Sequence, residues 1–340
     1  MKTQNQTVEA WLELVNHYPS PHNGQPIRIK QIGESSFDLY FEKQRGLKAA
    51  DISYIFSFVS MGVFVEHMSL CARGLGHGFS FKLDLPKEGE LKGEGIVKFA
   101  SCDLTWGDGQ TDEALIQALN FRQTSRKKYY EGVDQNLSDE VIKLASDHTM
   151  TLRKLDKQQT KQAVWLNQRA VFDDMFDDPV REELNHWLRY SQKQKQAMRD
   201  GLAYDCMEIS GRLMKFTVDH RRILRAPGIS KLIQQYYLRT MTDSSDVFYM
   251  MAPFATEQHA FDIGTVIMKV WERFASKGYY LHPFGTIMSN HAAHQDFLKL
   301  VGVTQESRDE SYLVFIFRGG KSEPPVPSLR IPINEHLIME

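Results

Sequence analysis

Two long apolar stretches carry glycine in the same phase, and this constrains the fold more than any other feature of the chain. The first contains Met61-Gly62-Val63-Phe64 and stops at Arg73-Gly74-Leu75-Gly76; the second contains Ile263-Gly264-Thr265-Val266 and stops at Lys277-Gly278. Gly62 to Gly76 and Gly264 to Gly278 are both steps of 14 positions. A glycine inside a helix costs about 1 kcal/mol relative to alanine, so it marks a close approach to the backbone, by a partner helix or a flat ligand. Both stretches are followed by strand-like sequence and later by a closing strand, Gly95 to Phe99 and Tyr312 to Phe317. The pattern reads as an internal repeat; the plainer alternative is coincidence between two amphipathic helices.

The remaining elements fit two copies of one unit. Val8 to His17 has helical periodicity and ends at a Pro-Ser-Pro loop. Ile27 to Ile32 and Ser36 to Phe41 read as strands, Ile52 to Ala72 as the first long helix, and Phe79 to Leu85 as a further strand. Gly107, Asp108, Gly109 and Thr111 mark a linker at 103–113. Beyond it come a short helix over Asp112 to Asn120, a helix opened by Ser138-Asp139-Glu140-Val141, and a weak strand at Leu152 to Leu155. Val247 to Ala252 reads as a strand and Phe261 to Ser276 as the second long helix. The expected class is therefore α+β, with repeats at 1–105 and 112–321. A helical insertion at about 157–240, broken at Pro179, Gly201 and Pro227, interrupts the second repeat. Residues 322–340, with four prolines, read as an extended tail.

Composition removes several classes. A net charge of −2 gives no basic surface for nucleic acid. The polar Met1 to Gln6 has no apolar core of a secretory signal, and no apolar run was expected to reach the roughly 18 residues of a membrane span. Cys71, Cys102 and Cys206 lack metal or disulfide spacing, so a reduced, cytoplasmic protein is expected. Asp173-Asp174 and Asp177-Asp178 have no histidine at ligand spacing, and no metal is expected. Trp165, Phe172, Trp187, Tyr204 and Met214 within the insertion recur at helical spacing and read as core.

Two short segments carry the chemistry. In Arg122-Gln123-Thr124-Ser125-Arg126, alternation along an extended chain puts two guanidinium groups and a hydroxyl on one side, a phosphate-binding arrangement. Lys127 and Lys128 follow, so a solvated basic run is the competing reading. In Pro19-Ser20-Pro21-His22-Asn23-Gly24-Gln25-Pro26, prolines fix the backbone while Ser20, Asn23 and Gln25 offer polar groups; an ordinary turn competes. His22 has no carboxylate or cysteine at an orienting spacing and reads as a solvated loop residue.

The loop resembles the Pro-Ser-x-x-Asn-x-Gln-Pro signature of the nitroreductase family, and Arg122 to Arg126 resembles that family's Arg-x-Ser/Thr-x-Arg/Lys phosphate segment. His282-Pro283-Phe284-Gly285-Thr286 is similar to its Pro-x-Gly loop, and Phe317-Arg318-Gly319-Gly320-Lys321 to the basic element after its last strand. The resemblance implies a nitroreductase-like fold with an intramolecular pseudo-dimer whose helices pack on antiparallel-rich sheets. It implies one FMN between the repeats. Arg122, Thr124, Arg126, Arg318 and Lys321 would then hold the phosphate. Pro19, Ser20, Pro21, Asn23 and Gln25 would hold the ribityl chain or ring, and Pro283, Phe284, Gly285 and Thr286 would line the N5 face, with the Gly285 N–H as donor. The second repeat has no such loop near Ala145 to Thr149, and Ser101-Cys102-Asp103 lacks the basic pair, so one site survives of two. This is similar to the fused-dimer branch known from mycobacterial dormancy-associated proteins. NADH or NADPH as donor, a small-molecule electron acceptor, and a monomer or weak dimer follow from the resemblance. FMN storage behind a lid is the alternative it leaves open.

Overall fold

The computed structural model describes residues 4–51, 54–107, 110–242 and 245–339. The expected helix start at Ile52, the linker residues Asp108 and Gly109, and Met1 to Thr3 lie outside the described residues.

The first half runs α1 (Gln4–Val15), β1 (Ile27–Gln31), β2 (Ser36–Glu42), α2 (Ile55–Gly74), β3 (Gly78–Leu83) and β4 (Ile96–Thr105). After α3 (Glu113–Phe121) the second half begins with α4 (Gln135–Ser146) and β5 (Thr151–Lys154). The insertion follows as α5 (Lys157–Asp174), α6 (Asp178–Trp187), β6 (Leu188–Arg189), α7 (Gln192–Met198), β7 (Leu202–Ala203), α8 (Gly211–Asp219) and α9 (Pro227–Thr242). The chain then completes the half with β8 (Asp246–Ala252), α10 (Glu257–Ser276), β9 (Tyr280–Pro283), α11 (Gly285–Ser289), α12 (His291–Leu300) and β10 (Tyr312–Gly320), and ends with the single turn α13 (Ile333–His336).

Two four-stranded sheets have the orders β1-β2-β4-β3 and β5-β8-β10-β9, antiparallel throughout. These are one connectivity used twice: in each half, the first two strands precede the long helix and the last two follow it. The molecule is thus an α+β protein of two topologically equivalent halves.

α2 and α10 cross where the two glycines meet. A Cβ on Gly62 would lie 1.9 Å from the Phe261 carbonyl oxygen, and one on Gly264 would lie 2.1 Å from that of Val59. Each clash falls three residues before the opposite glycine, as a two-fold axis through the crossing requires. Of the two sequence readings of these glycines, a partner helix is the one observed. The C-termini match too. Gly76 and Gly278 adopt φ of 75° and 74°. His77 N–H donates to the Ala72 carbonyl and Tyr279 N–H to that of Phe274, both at 2.9 Å. These are paired left-handed caps.

α2 is long and apolar enough to cross a membrane by length and composition, with a mean hydropathy of 1.5, which the sequence reading did not expect. Its surroundings supply a different reason for that character: 78% of the window is buried, against α1, α3, α10 and β3.

The halves differ in cover. β2 alternates, burying Phe37, Leu39 and Phe41. β8 is buried on both faces: Phe248, Met250 and Ala252 join the core shared with α10, while Val247, Tyr249 and Met251 pack on the insertion side with Val164, Phe297 and Leu298. The insertion and the unanticipated α12 form this outer layer. One expected cap is corrected: α4 opens at Asp134, whose carboxylate accepts from Leu137 N–H, and Ser138 lies buried within the helix. The side chain of Asp134 can reach the orphan N–H groups of the first turn from outside the helix, whereas Ser138 is already one turn in.

Candidate functional site

The Pro19 to Pro26 loop leaves α1 and forms a single 3-10 turn at Pro21–Asn23. His22, Asn23 and Gln25 have φ of 49°, 53° and 53°. Left-handed backbone at non-glycine residues costs on the order of 1 kcal/mol each and persists only where the surroundings over-determine it. Here they do. Gln25 is fully buried; its N–H donates to Ser20 Oγ (3.0 Å), its side-chain amide donates to the Arg199 carbonyl (3.0 Å), and its Oε1 accepts from Ile331 N–H (3.0 Å). Asn23 donates through Nδ2 to the Leu329 carbonyl (3.1 Å), and its Oδ1 accepts from Arg330 Nη1 (2.7 Å). Gly201 N–H donates to the Asn23 carbonyl. The loop is therefore clasped from two sides, by the 199–201 turn of the insertion and by 329–331 of the tail.

The turn is itself anchored. Asp200 is buried and accepts from Arg189 Nη2 (2.5 Å) and from Arg45 Nη1 (3.0 Å), and Arg45 also donates to the Gly24 carbonyl (2.8 Å). Gly201 adopts φ of 75°, and a Cβ there would meet the Trp187 carbonyl at 2.3 Å.

The arginine segment follows α3, and Thr124 forms an isolated parallel bridge to Leu281 beside β9. Arg122 turns into the interior. Its Nη2 donates to the His17 carbonyl (2.6 Å), its guanidinium stacks 5.0 Å from the Trp271 ring centroid, and its Nε is buried without a hydrogen-bond partner. Burial, then the nearby Arg330, pulls its pKa down to about 9. Arg126 donates to the Cys206 carbonyl (3.3 Å). Its charge is felt by two histidines: the half-buried His22, held down to about 4 by desolvation and then by Arg126, and the buried His282, held well below its ordinary value by burial, Arg318 and Arg126. The charge of Arg126 thus reaches both the loop of the first half and His282. His22 is not the solvated residue the sequence suggested; its Nδ1 is buried and unpartnered.

Arg318 and Lys321 are both engaged with protein groups. Arg318 is fully buried, donates to the Ser125 (3.3 Å) and Lys127 (2.8 Å) carbonyls and to His282 Nδ1 (3.1 Å), and lies over the Tyr129 ring at 4.3 Å. Its work is to hold the backbone of the arginine segment. Lys321 pairs with Glu131 at 2.7 Å and lies over Tyr279. The strand's pleat explains the separation: an odd step from 318 to 321 sends the two side chains to opposite faces. The third expected element, Pro283 to Thr286, spans the end of β9 and the start of α11. Phe284 is buried, and nothing lies within 4 Å of a Cβ built on Gly285.

The tail contributes residues that sequence reasoning missed. Arg330 Nη2 donates to the Tyr18 (2.5 Å) and His17 (3.3 Å) carbonyls. Ser328 Oγ contacts Cys206 Sγ (3.7 Å), and Leu337 bridges to Ile29 on the edge strand β1. No motif signals Arg330; it stands in a proline-rich stretch that reads as extended.

The fit to a flavin phosphate is therefore uneven. Arg122, with an orphaned buried Nε, and Arg126 suit an anion; Arg318 and Lys321 are engaged otherwise. The cavity beside Pro21, Pro26 and Arg45 measures about 10 Å³, room for about one water. A larger cavity of about 660 Å³, lined by Lys299, Glu306, Arg308 and Tyr312, borders none of the expected residues. Among the described residues no cluster of His, Cys, Asp and Glu is arranged to hold a metal.

No family model matches this chain, and no curated protein does. Solved structures show distant likenesses. An FMN-dependent nitroreductase from Mycobacterium smegmatis, solved with NADPH, is 14% identical over 67% of this chain and 98% of its own, with a TM-score of 0.40. An FMN- and NADPH-dependent nitroreductase from sphigopyxis sp. strain HMH is 13% identical over 66% of this chain and 97% of its own, at 0.38. A nitroreductase-like protein from Bacillus cereus is 13% identical over 66% and 94%, at 0.35.

Proposed function

We propose that this chain is an FMN-binding oxidoreductase of the nitroreductase class, passing electrons from NADH or NADPH to a small nitro, quinone or similar acceptor. In this reading the halves at 1–105 and 112–321 descend from one module by duplication, and the family's dimer has become a single chain. The observation that carries it is that the arginine segment meets the entry to the first half's loop: Arg122 Nη2 donates to the His17 carbonyl at 2.6 Å. Two motifs read independently from the sequence, about a hundred residues apart, are brought together there.

The assignments are these. Arg122 and Arg126 face the phosphate, with Thr124 between them. Arg318 positions that segment through the Ser125 and Lys127 carbonyls. Ser20, Asn23 and Gln25 hold the ribityl chain or ring edge, within the turn framed by Pro19 and Pro21. Pro283, Phe284, Gly285 and Thr286 border the ring, where the open space over Gly285 admits a flat group and its N–H is the backbone donor. When bound, FMN supplies the redox chemistry. The protein's part is to bind, orient and exclude water, and no general acid or base is assigned.

A second reading, FMN storage, is favoured by the clasp. Asn23 and Gln25 already spend their hydrogen bonds on the tail and the 199–201 turn, so loading requires one of these to give way. Steady-state oxidation of NADH or NADPH with a nitroaromatic or quinone tests the enzyme. Bound flavin that is reduced by dithionite but not by NADH or NADPH supports storage. Purified chain that takes up no FMN refutes both.

A further inference from the structure

Two guanidinium groups meet at one carbonyl oxygen, and among the described residues no acid pairs with either. Arg122 Nη2 (2.6 Å) and Arg330 Nη2 (3.3 Å) both donate to the His17 carbonyl. Arg122 is 7% exposed and its Nε has no acceptor. Arg122 is buried and Arg330 half-buried; like charges placed together repel, and a buried cation without a counter-charge is costly. The arrangement is relieved by an anion that accepts from both.

We propose that Arg330, carried in by the C-terminal tail, is the partner of Arg122 in a cradle for a phosphate monoester, in the role the family resemblance gives to Arg318 and Lys321. The inference rests on the flavin reading above and names the residue that would make the site select FMN over flavins without a phosphate. The tail places Arg330 through neighbours on both sides: the Leu329 carbonyl accepts from Asn23 Nδ2, and Ile331 N–H donates to Gln25 Oε1. Asn23 Oδ1 in turn orients the Arg330 guanidinium at 2.7 Å. The loop assigned to the ribityl chain thus also aims the arginine assigned to the phosphate. Mutual repulsion agrees with this: burial and then Arg330 lower the pKa of His17 as well as that of Arg122. The fork of an arginine suits a phosphate better than a lysine does.

The test is titration of the flavin-free, full-length chain with FMN and with riboflavin, followed by quenching of flavin fluorescence, for wild type, Arg330→Met and Arg330→Lys. Wild type is expected to prefer FMN by tenfold or more. Arg330→Met should lose most of that preference, its FMN affinity falling far more than its riboflavin affinity, and Arg330→Lys should recover part. An unchanged FMN-to-riboflavin ratio in Arg330→Met overturns the inference. Riboflavin affinity also reports folding, because a variant that merely unfolds loses both ligands; thermal melts with inorganic phosphate, against chloride at equal ionic strength, then decide on Arg330→Lys. If wild type binds neither flavin, the flavin reading fails by itself and the same melts decide the cradle. Stabilisation by phosphate that Arg330→Met abolishes supports it, and equal or absent stabilisation overturns it.

Discussion

Replacing Gly62 with alanine tests the crossing that joins the halves. The new Cβ would lie 1.9 Å from the Phe261 carbonyl oxygen and 2.9 Å from its carbon, where ordinary contact begins near 3.4 Å. Both obstacles are backbone, so no side chain can rotate away, and the helices must separate locally by about 1.5 Å. A gap of 0.5–1 Å already forfeits a quarter to a half of each dispersion contact beside it. Overpacking of this kind costs about 1–3 kcal/mol, here at the upper end, while removing a helical glycine returns about 1 kcal/mol. The net expectation is a loss of about 2 kcal/mol, read as a lower urea midpoint. Gly74→Ala is the control: its Cβ would meet only side-chain carbons of Ile116 and Leu115, at 3.1 Å and beyond, so it should be neutral or stabilising by up to about 1 kcal/mol. Gly62→Ala with Gly264→Ala should cost less than the two separately, because one separation relieves both clashes. A Gly62→Ala chain as stable as wild type, or strict additivity in the pair, would refute the backbone-contact argument.

Other outcomes follow from the same geometry. Arg122→Ala with Arg126→Ala should weaken FMN binding by at least a hundredfold, since two charge-assisted hydrogen bonds at about 1.5–3 kcal/mol each are removed; equilibrium dialysis checks this. Asn23→Ala should loosen the tail, and trypsin should then cut after Arg330 faster than in wild type. Glu66 is half-buried on α2 with Lys269 4.0 Å away, and desolvation lifts its pKa from 4.5 to about 7. The folded state therefore holds its proton more tightly than the unfolded chain. Stability contributed by this group is intact below pH 4.5 and lost as pH rises to about 7, a loss of about 3 kcal/mol. Glu66→Gln should raise the urea midpoint at pH 8 and change it little at pH 4.5.

The two crossing helices were legible in the sequence because backbone contact can be met only by residues without a Cβ, and such residues leave a mark at fixed spacing. β1 and β2 were legible from simple alternation, whereas β4 was expected only over Gly95 to Phe99 and runs on to Thr105, into the expected linker. β8 and β10 read only as apolar runs; that both their faces are buried depends on the insertion and α12, which announce no partner in sequence. α2 shows the same limit, since membrane and core demand one composition. In the candidate site, the loop and the arginine segment were legible as polar groups in fixed order. The tasks of Arg318 and Lys321 were not, because pleat and burial decide whether a basic residue meets a ligand, a carbonyl or a glutamate. Arg330 left no signal, as its place depends on where an extended tail is laid down.

The visible spectrum and flavin-to-protein ratio of the purified chain test the central claim most directly. One FMN per chain, with the absorption of an oxidised flavin and release by the Arg122→Ala, Arg126→Ala double variant, is the result expected of a single site shared by the two halves. A colourless protein that takes up no added FMN would contradict it, and so would two flavins per chain.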